Sequence, residues 1–157
     1  MKNTLGIVSI CLASACFSAT AWAQSPAGSY IVVTPGDLTW ADVGSLPPGA
    51  KISVIEGPMN ETVPITARLK LPANYMIPAH WHPGVERVTV LSGTFYYGMG
   101  DKLDVQNTRA LGAGSVIVMP PKMNHFGWTR EETVLQLNTM GPWGISYVNP
   151  ADDPRPK

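Results

Sequence analysis

Residues 79–95 read AHWHPGVERVTVLSGTF and hold two of the chain's three histidines, two turns and an alternating run. In an extended segment side chains two apart share a face, so His80 and His82 project together and Trp81 projects opposite. Pro83-Gly84 turns the chain. From Glu86 onward Glu86, Val88 and Val90 share one face, and Ser92-Gly93 turns the chain again. If the valine face is the interior, Glu86 is a carboxylate among aliphatic side chains. That placement is costly unless something positive stands beside it, and a divalent cation held by two imidazoles is one such partner. The plainer alternative is that the histidines are hydrogen-bonded structural residues.

The rest of the chain points to an all-β fold. Gly and Pro number 15 each among 157 residues, so breakers recur too often for long helices. Between them lie short β-branched or aromatic runs at 30–33, 51–55, 65–71, 86–91, 94–97, 115–119 and 133–138. Seven short strands at this spacing predict a sandwich or barrel. One segment carries a competing signal. Thr129-Arg130-Glu131-Glu132 fits a helix capping box, yet Thr133, Val134 and the apolar pair Leu135 and Leu137 alternate as a strand does. A strand is the expectation there.

The first residues read as a secretory signal peptide spanning 1–23: basic Lys2, an apolar run from Leu5 to about Ala15, then Ala21-Trp22-Ala23 before Gln24. The run is well under the roughly 20 residues that cross a bilayer as a helix, so the mature protein is expected to be exported, periplasmic or secreted, and free of the membrane. A lipoprotein site at Cys16 is the weaker alternative, since the usual leucine three positions earlier is missing. Both cysteines, Cys11 and Cys16, leave with the leader. The remainder has no thiol nucleophile or cysteine-type zinc cluster. Loss of Lys2 tips 11 basic against 11 acidic residues to one net negative charge, with no basic patch for nucleic acid. Residues 24–150 are expected to form one domain, and the polar, proline-rich end 151–157 a loose tail.

The third histidine sits in MPPKMNHFGW. The spacing His80-x-His82-x3-Glu86-x6-Gly93, followed by Gly114-x5-Pro120-x4-His125, resembles the two signature motifs of the cupin superfamily. The resemblance implies a small antiparallel β-barrel, the double-stranded β-helix of jelly-roll type. It also implies that His80, His82, Glu86 and His125 bind one divalent transition metal, with Fe, Mn, Ni, Cu and Zn (and Co) all compatible with three nitrogens and a carboxylate. Two positions depart from the pattern. Asn74 stands where a glycine is usual before the first motif, and Lys122 where a glycine is usual after Pro120, which places a cation near the expected site mouth.

With four protein ligands, one or two coordination positions stay open. The implied activity is dioxygenase-like or isomerase-like chemistry on a small oxygenated organic molecule, with Glu86 also a candidate proton acceptor. The alternative is a binding or sensing barrel with a structural metal, because no separate general acid or base is evident. Arg68, Tyr97, Lys122, Trp128 and Gln136 are candidate substrate contacts. Gly141-Pro142-Trp143-Gly144 reads as a turn packed over the barrel end or against a partner. A homodimer paired through an edge strand at 30–33 is expected.

Overall fold

Most of the alternating runs become strands in the computed structural model, which describes residues 30–156. The expected leader lies outside the described residues. In chain order the strands are β1 (Ala41–Asp42), β2 (Lys51–Glu56), β3 (Pro64–Leu71), β4 (Met76–Trp81), β5 (Glu86–Ser92), β6 (Thr94–Met99), β7 (Arg109–Gly112), β8 (Val116–Met119), β9 (His125–Thr129), β10 (Thr133–Met140) and β11 (Ser146–Tyr147). They form two antiparallel sheets, ordered β1-β2-β3-β10-β5-β8 and β11-β4-β9-β6-β7. This is the jelly-roll arrangement of a small β-barrel. Among the described residues no helix is long and apolar enough to cross a membrane.

Period-two alternation sets the inner face. In β3 the residues Ile65, Ala67, Leu69 and Leu71 are buried, and in β10 Thr133, Leu135 and Leu137. In β5 Glu86, Val88 and Val90 point inward together. The core is closed from the second sheet by Ile77 and Phe95 and from the C-terminal segment by Ile145 and Tyr147. Burying such side chains contributes about 1.5–3 kcal/mol each.

Two tyrosines fix the loop that caps this core. The Tyr147 hydroxyl donates to the Ser45 carbonyl at 2.8 Å, and the Tyr75 hydroxyl donates to the Pro47 carbonyl. Leu46, held between these anchors, is driven into the interior. Burial pushes the Tyr147 phenol up to about 12, so it stays a donor across physiological pH.

Two local readings are corrected, at 30–33 and at the C-terminal end, and the strand expected from residue 133 is found. Residues 30–33 form no strand: Tyr30, Ile31 and Val32 are 89%, 58% and 72% exposed. Strand propensity reports fit to a pleated, half-buried surface, and this run has no neighbouring strand among the described residues. Residues 129–132 do not start a helix. Glu131 and Thr133 instead tie the β9–β10 turn to β6: Thr94 Oγ1 donates to Glu131 Oε1, and Thr133 Oγ1 donates to the Thr94 carbonyl. The end expected to be loose folds back, with Arg155 Nη2 donating to the Ile145 carbonyl at 3.1 Å and pairing with Asp153.

Two glycines in the second sheet make room for aromatic rings. A Cβ on Gly127 would lie 2.2 Å from Phe95 Cζ, and one on Gly98 would lie 2.3 Å from Phe126 Cε2. Both rings are buried and have nowhere to move. Gly127→Ala is therefore expected to destabilise the protein by about 2–3 kcal/mol through overpacking. Gly112→Ala, where a Cβ meets nothing within 4 Å, should stay within about 0.5 kcal/mol. Urea midpoints of the two variants check this, and equal midpoints would contradict the packing.

Candidate metal centre

One end of the barrel interior carries four ionisable side chains. His80, near the end of β4, and His125, the first residue of β9, face each other across an antiparallel pair with ring centroids 4.2 Å apart. A register shift between Ile77 and His80 makes this possible. The bulge takes in Pro78, which has no N–H for a ladder bond, and lets Ile77 and His80 face inward although three positions apart. His82 lies one residue beyond β4, 5.0 Å from His80 and 5.2 Å from His125 between centroids. One nitrogen from each ring falls within 4.8 Å of the others, a group that could hold a metal ion. Glu86 approaches from the other sheet, its Oε2 3.2 Å from His82 Nε2. It stands outside the three-histidine group and joins it through His82.

Each imidazole is held from behind by a main-chain carbonyl. Nδ1 of His80 lies 2.7 Å from the Pro78 oxygen, that of His82 2.7 Å from Gly144, and that of His125 2.9 Å from Met123. A carbonyl oxygen only accepts, so each Nδ1 carries its proton and donates it, which leaves the Nε2 lone pair as the ligating atom. Backbone-oriented imidazoles of this kind are the usual support of metal-binding histidines. Burial drives the His80 imidazole well below its ordinary 6.5, with His125 and His82 adding to the depression. Burial likewise brings His125 down to about 4, against the opposing effect of its bond to Met123. Both rings are neutral near pH 7, the form a metal requires. The donor set therefore fits a divalent transition metal.

Trp143 completes the group. Its Nε1 donates to Glu86 Oε1 at 2.9 Å, and its ring stacks on His82 with centroids 5.5 Å apart and planes 27° apart. The turn at 141–144 thus packs over the barrel end. Among the described residues Tyr97 is the remaining polar side chain facing the cavity, 5.8 Å from His125 between rings. Burial and then the charge of Glu86 raise its phenol above the ordinary value of 10. The cavity is small, about 40 Å³, and its walls are otherwise apolar, with Leu46, Leu69, Val88, Leu135 and Met119 among them.

The expected substrate contacts are placed as follows. Tyr97 lines the cavity; the other four do not. Arg68 and Gln136 pair across β3 and β10 on the outer face, Arg68 Nε donating to Gln136 Oε1 at 3.4 Å. The reason is alternation: with Ala67, Leu69, Leu135 and Leu137 inside, both must point out. Trp128 stacks on Tyr96 at 4.2 Å on the outer face of the second sheet, with the Arg130 guanidinium 5.1 Å from its ring. Lys122 is exposed and contributes through its backbone, its N–H donating to the His82 carbonyl at 2.8 Å. It adopts φ +61°, and Asn74 adopts φ +57°. Both non-glycine residues hold the left-handed conformation that glycine adopts freely.

The comparisons with known proteins agree with this fold. The ChrR cupin-like domain family matches residues 28–143. No curated protein sequence matches the chain. Among solved structures, the polyketide cyclase RemF from Streptomyces resistomycificus is similar at a TM-score of 0.65 and 16% identity, covering 80% of this chain and 90% of that one. An RmlC-like cupin from Shewanella frigidimarina is similar at 0.56 and 16%, covering 71% and 91%. Salicylate 1,2-dioxygenase from Pseudoaminobacter salicylatoxidans is similar at 0.53 and 14%, covering 66% of this chain and 30% of that larger one. At these identities the likeness is one of fold. The family match is of another order: it spans more than half of the chain and takes in both histidine-bearing segments, so the chain belongs to the ChrR cupin-like domain family of the cupin superfamily.

Proposed function

We propose that this is an exported, metal-dependent cupin whose bound ion receives a small oxygenated organic molecule at an open position. The observation that carries the reading is the set of three carbonyl-anchored imidazoles. Their fixed orientations make three imidazole nitrogens converge in a buried site. His80, His82 and His125 hold the ion through Nε2, and Glu86 supplies the fourth ligand and the negative charge. A divalent transition metal held there supplies a Lewis acid for a hydroxyl, enol or carboxylate group.

The chain's own residues shape what reaches that point. The polar side chains lining the cavity are the four ligands, Tyr97 and Trp143. Among the described residues no lysine or arginine lines the cavity, so none of them answers a second charged group on the ligand. The substrate is therefore a molecule with one oxygenated head and a largely apolar body. Tyr97 O–H, protonated at working pH, is placed to donate to that head. Glu86 is the group placed to accept a proton from it.

Polyketide cyclisation and salicylate dioxygenation, named for two of the similar structures, both act on oxygenated organic molecules and support this class of substrate without choosing a reaction. A second reading has an observation in its favour. A cavity of about 40 Å³ accommodates an ion and a few waters and falls well short of the roughly 300 Å³ of ordinary ligand pockets, which suits a binding module with a structural metal. Substrate-dependent dioxygen uptake, or isomerisation of an enolisable ligand, by the metal-loaded protein separates the two.

The ligand assignment is tested directly. His82→Ala and His125→Ala should each lose most bound metal, measured by elemental analysis after dialysis against a weak chelator. Full retention in either variant rejects the four-ligand set. Export rests on the pattern at 1–23 and predicts a mature protein beginning at Gln24, checked by N-terminal sequencing. The homodimer rests on the short edge strand β8, whose Val116 and Val118 are 61% and 59% exposed. Light scattering should give twice the monomer mass at micromolar concentration; a monomer rules it out.

A further inference from the structure

We infer that Trp143 is a positioning residue that holds Glu86 to a single coordinating oxygen. The inference rests on the metal reading above. A carboxylate with both oxygens free can take one ion with one oxygen or with two. In this site the two oxygens of Glu86 are already distinguished. Oε1 accepts the indole N–H of Trp143 at 2.9 Å, and Oε2 is the one turned to the histidines, 3.2 Å from His82 Nε2. Indole N–H is a donor only and Glu86 is 3% exposed, so the bond cannot reverse and water has little access to replace it.

The indole is itself immobilised. Its ring lies against His82, its main-chain N–H donates to the Met59 carbonyl at 2.8 Å, and the Gly141 N–H donates to the Val63 carbonyl at 2.8 Å. At Gly141 a Cβ would lie 2.1 Å from the Glu61 carbonyl oxygen, so the segment is pressed onto residues 59–65 without slack. The carbonyl of Gly144, the residue after Trp143, accepts the Nδ1 proton of His82. Two consecutive residues of one tightly packed loop therefore orient two of the four ligands. The consequence is functional: three imidazoles and one carboxylate oxygen occupy four positions, whereas a chelating Glu86 would fill a fifth and crowd the place a substrate needs.

The test uses Co(II), whose visible absorption weakens as its coordination number rises. Co(II) is titrated into the metal-free wild type, Trp143→Phe, Glu86→Ala and the double variant. Trp143→Phe keeps an aromatic ring on His82 and loses the N–H. It should bind Co(II) about 10–100-fold more weakly, the usual cost of losing an outer-shell partner, with a clearly altered band intensity. In the Glu86→Ala background the same substitution should leave affinity within twofold and the spectrum unchanged. A merely structural tryptophan would instead weaken binding equally in both backgrounds, and that result overturns the inference, as does a Trp143→Phe protein identical to wild type. Benzothienylalanine at position 143 preserves the indole's shape without its N–H; it should reproduce the Phe phenotype, and wild-type behaviour there is equally fatal. A wild type that binds no Co(II) brings down the metal reading and this inference together, whereas a wild type that binds normally beside an unaffected variant brings down this inference alone.

Discussion

Saturating the metal-free protein with a divalent transition metal should raise its melting temperature by about 8–24 °C, and a chelator should reverse the gain. A ligand that binds only the folded state stabilises it by RT ln(1 + [L]/Kd), about 4 kcal/mol when free metal stands a thousandfold above Kd. For a domain of this size each kcal/mol moves the midpoint by roughly 2–6 °C. The converging imidazoles exist only in the folded chain, since His80 and His125 meet across strands 45 positions apart in sequence. The decisive comparison is a His80→Ala, His82→Ala double variant. It melts lower in any case, because it loses the bonds to the Pro78 and Gly144 carbonyls, so its absolute midpoint decides nothing. Its response to metal does. Glu86 and His125 alone form too sparse a set to favour the folded chain, and added metal should shift the midpoint by less than about 2 °C. If the histidines are only hydrogen-bonded core residues, the wild type is indifferent to metal and chelator alike, and the metal reading fails.

How far the sequence announces this arrangement depends on which interactions are local. Strands β3, β5 and β10 are legible because one face of each is buried and the other is not, so alternation appears within seven or eight residues. The same alternation already contained the fate of Arg68 and Gln136: a polar residue between inward apolar neighbours points outward, whatever site lies behind it. Strand β7, reading RALG, carries no apolar period because it is an edge strand with little burial. Strand β9, reading HFGWT, hides behind its glycine, which is there for the ring of Phe95 from the neighbouring strand. The exposed run at 30–33 shows the converse error, strong propensity without a partner.

The ligand candidates were legible through spacing, since His80, His82 and Glu86 lie within seven residues of one another in sequence, and His125 was added by the resemblance to a known motif. The supporting atoms were not. Three are main-chain carbonyls, which have no sequence signature, and the fourth is an indole 57 positions from the carboxylate it orients. Trp143 carried one weak signal, a large aromatic inside a Gly-Pro turn, where a solvent-facing loop ordinarily places small or polar residues.

The metal-free protein should lose stability steeply on acidification below pH 6.5, and His125 should account for about 3 kcal/mol of that loss. Burial holds its imidazole at about 4 in the folded protein, against the ordinary 6.5. Between these values the unfolded chain takes up a proton that the folded chain refuses. Stability rises with pH wherever the unfolded state binds more protons, so this contribution is full above pH 6.5, falls as pH drops, and is exhausted near pH 4. His80, also depressed by burial, adds to the loss in the same direction. Carboxylates contribute to acid unfolding as well, which is why the measurement compares variants. His125→Asn cannot titrate in this range and can keep a donor toward the Met123 carbonyl. It should be less stable than wild type at pH 7.5, yet lose about 2–3 kcal/mol less between pH 7.5 and 4.5 in urea titrations with chelator present. Parallel losses in the two proteins would mean that His125 is protonated as readily in the folded state as in the unfolded one. A site whose histidine takes a proton at its ordinary pH is open to water, and the buried, carbonyl-anchored geometry on which the metal centre depends would then have to be given up.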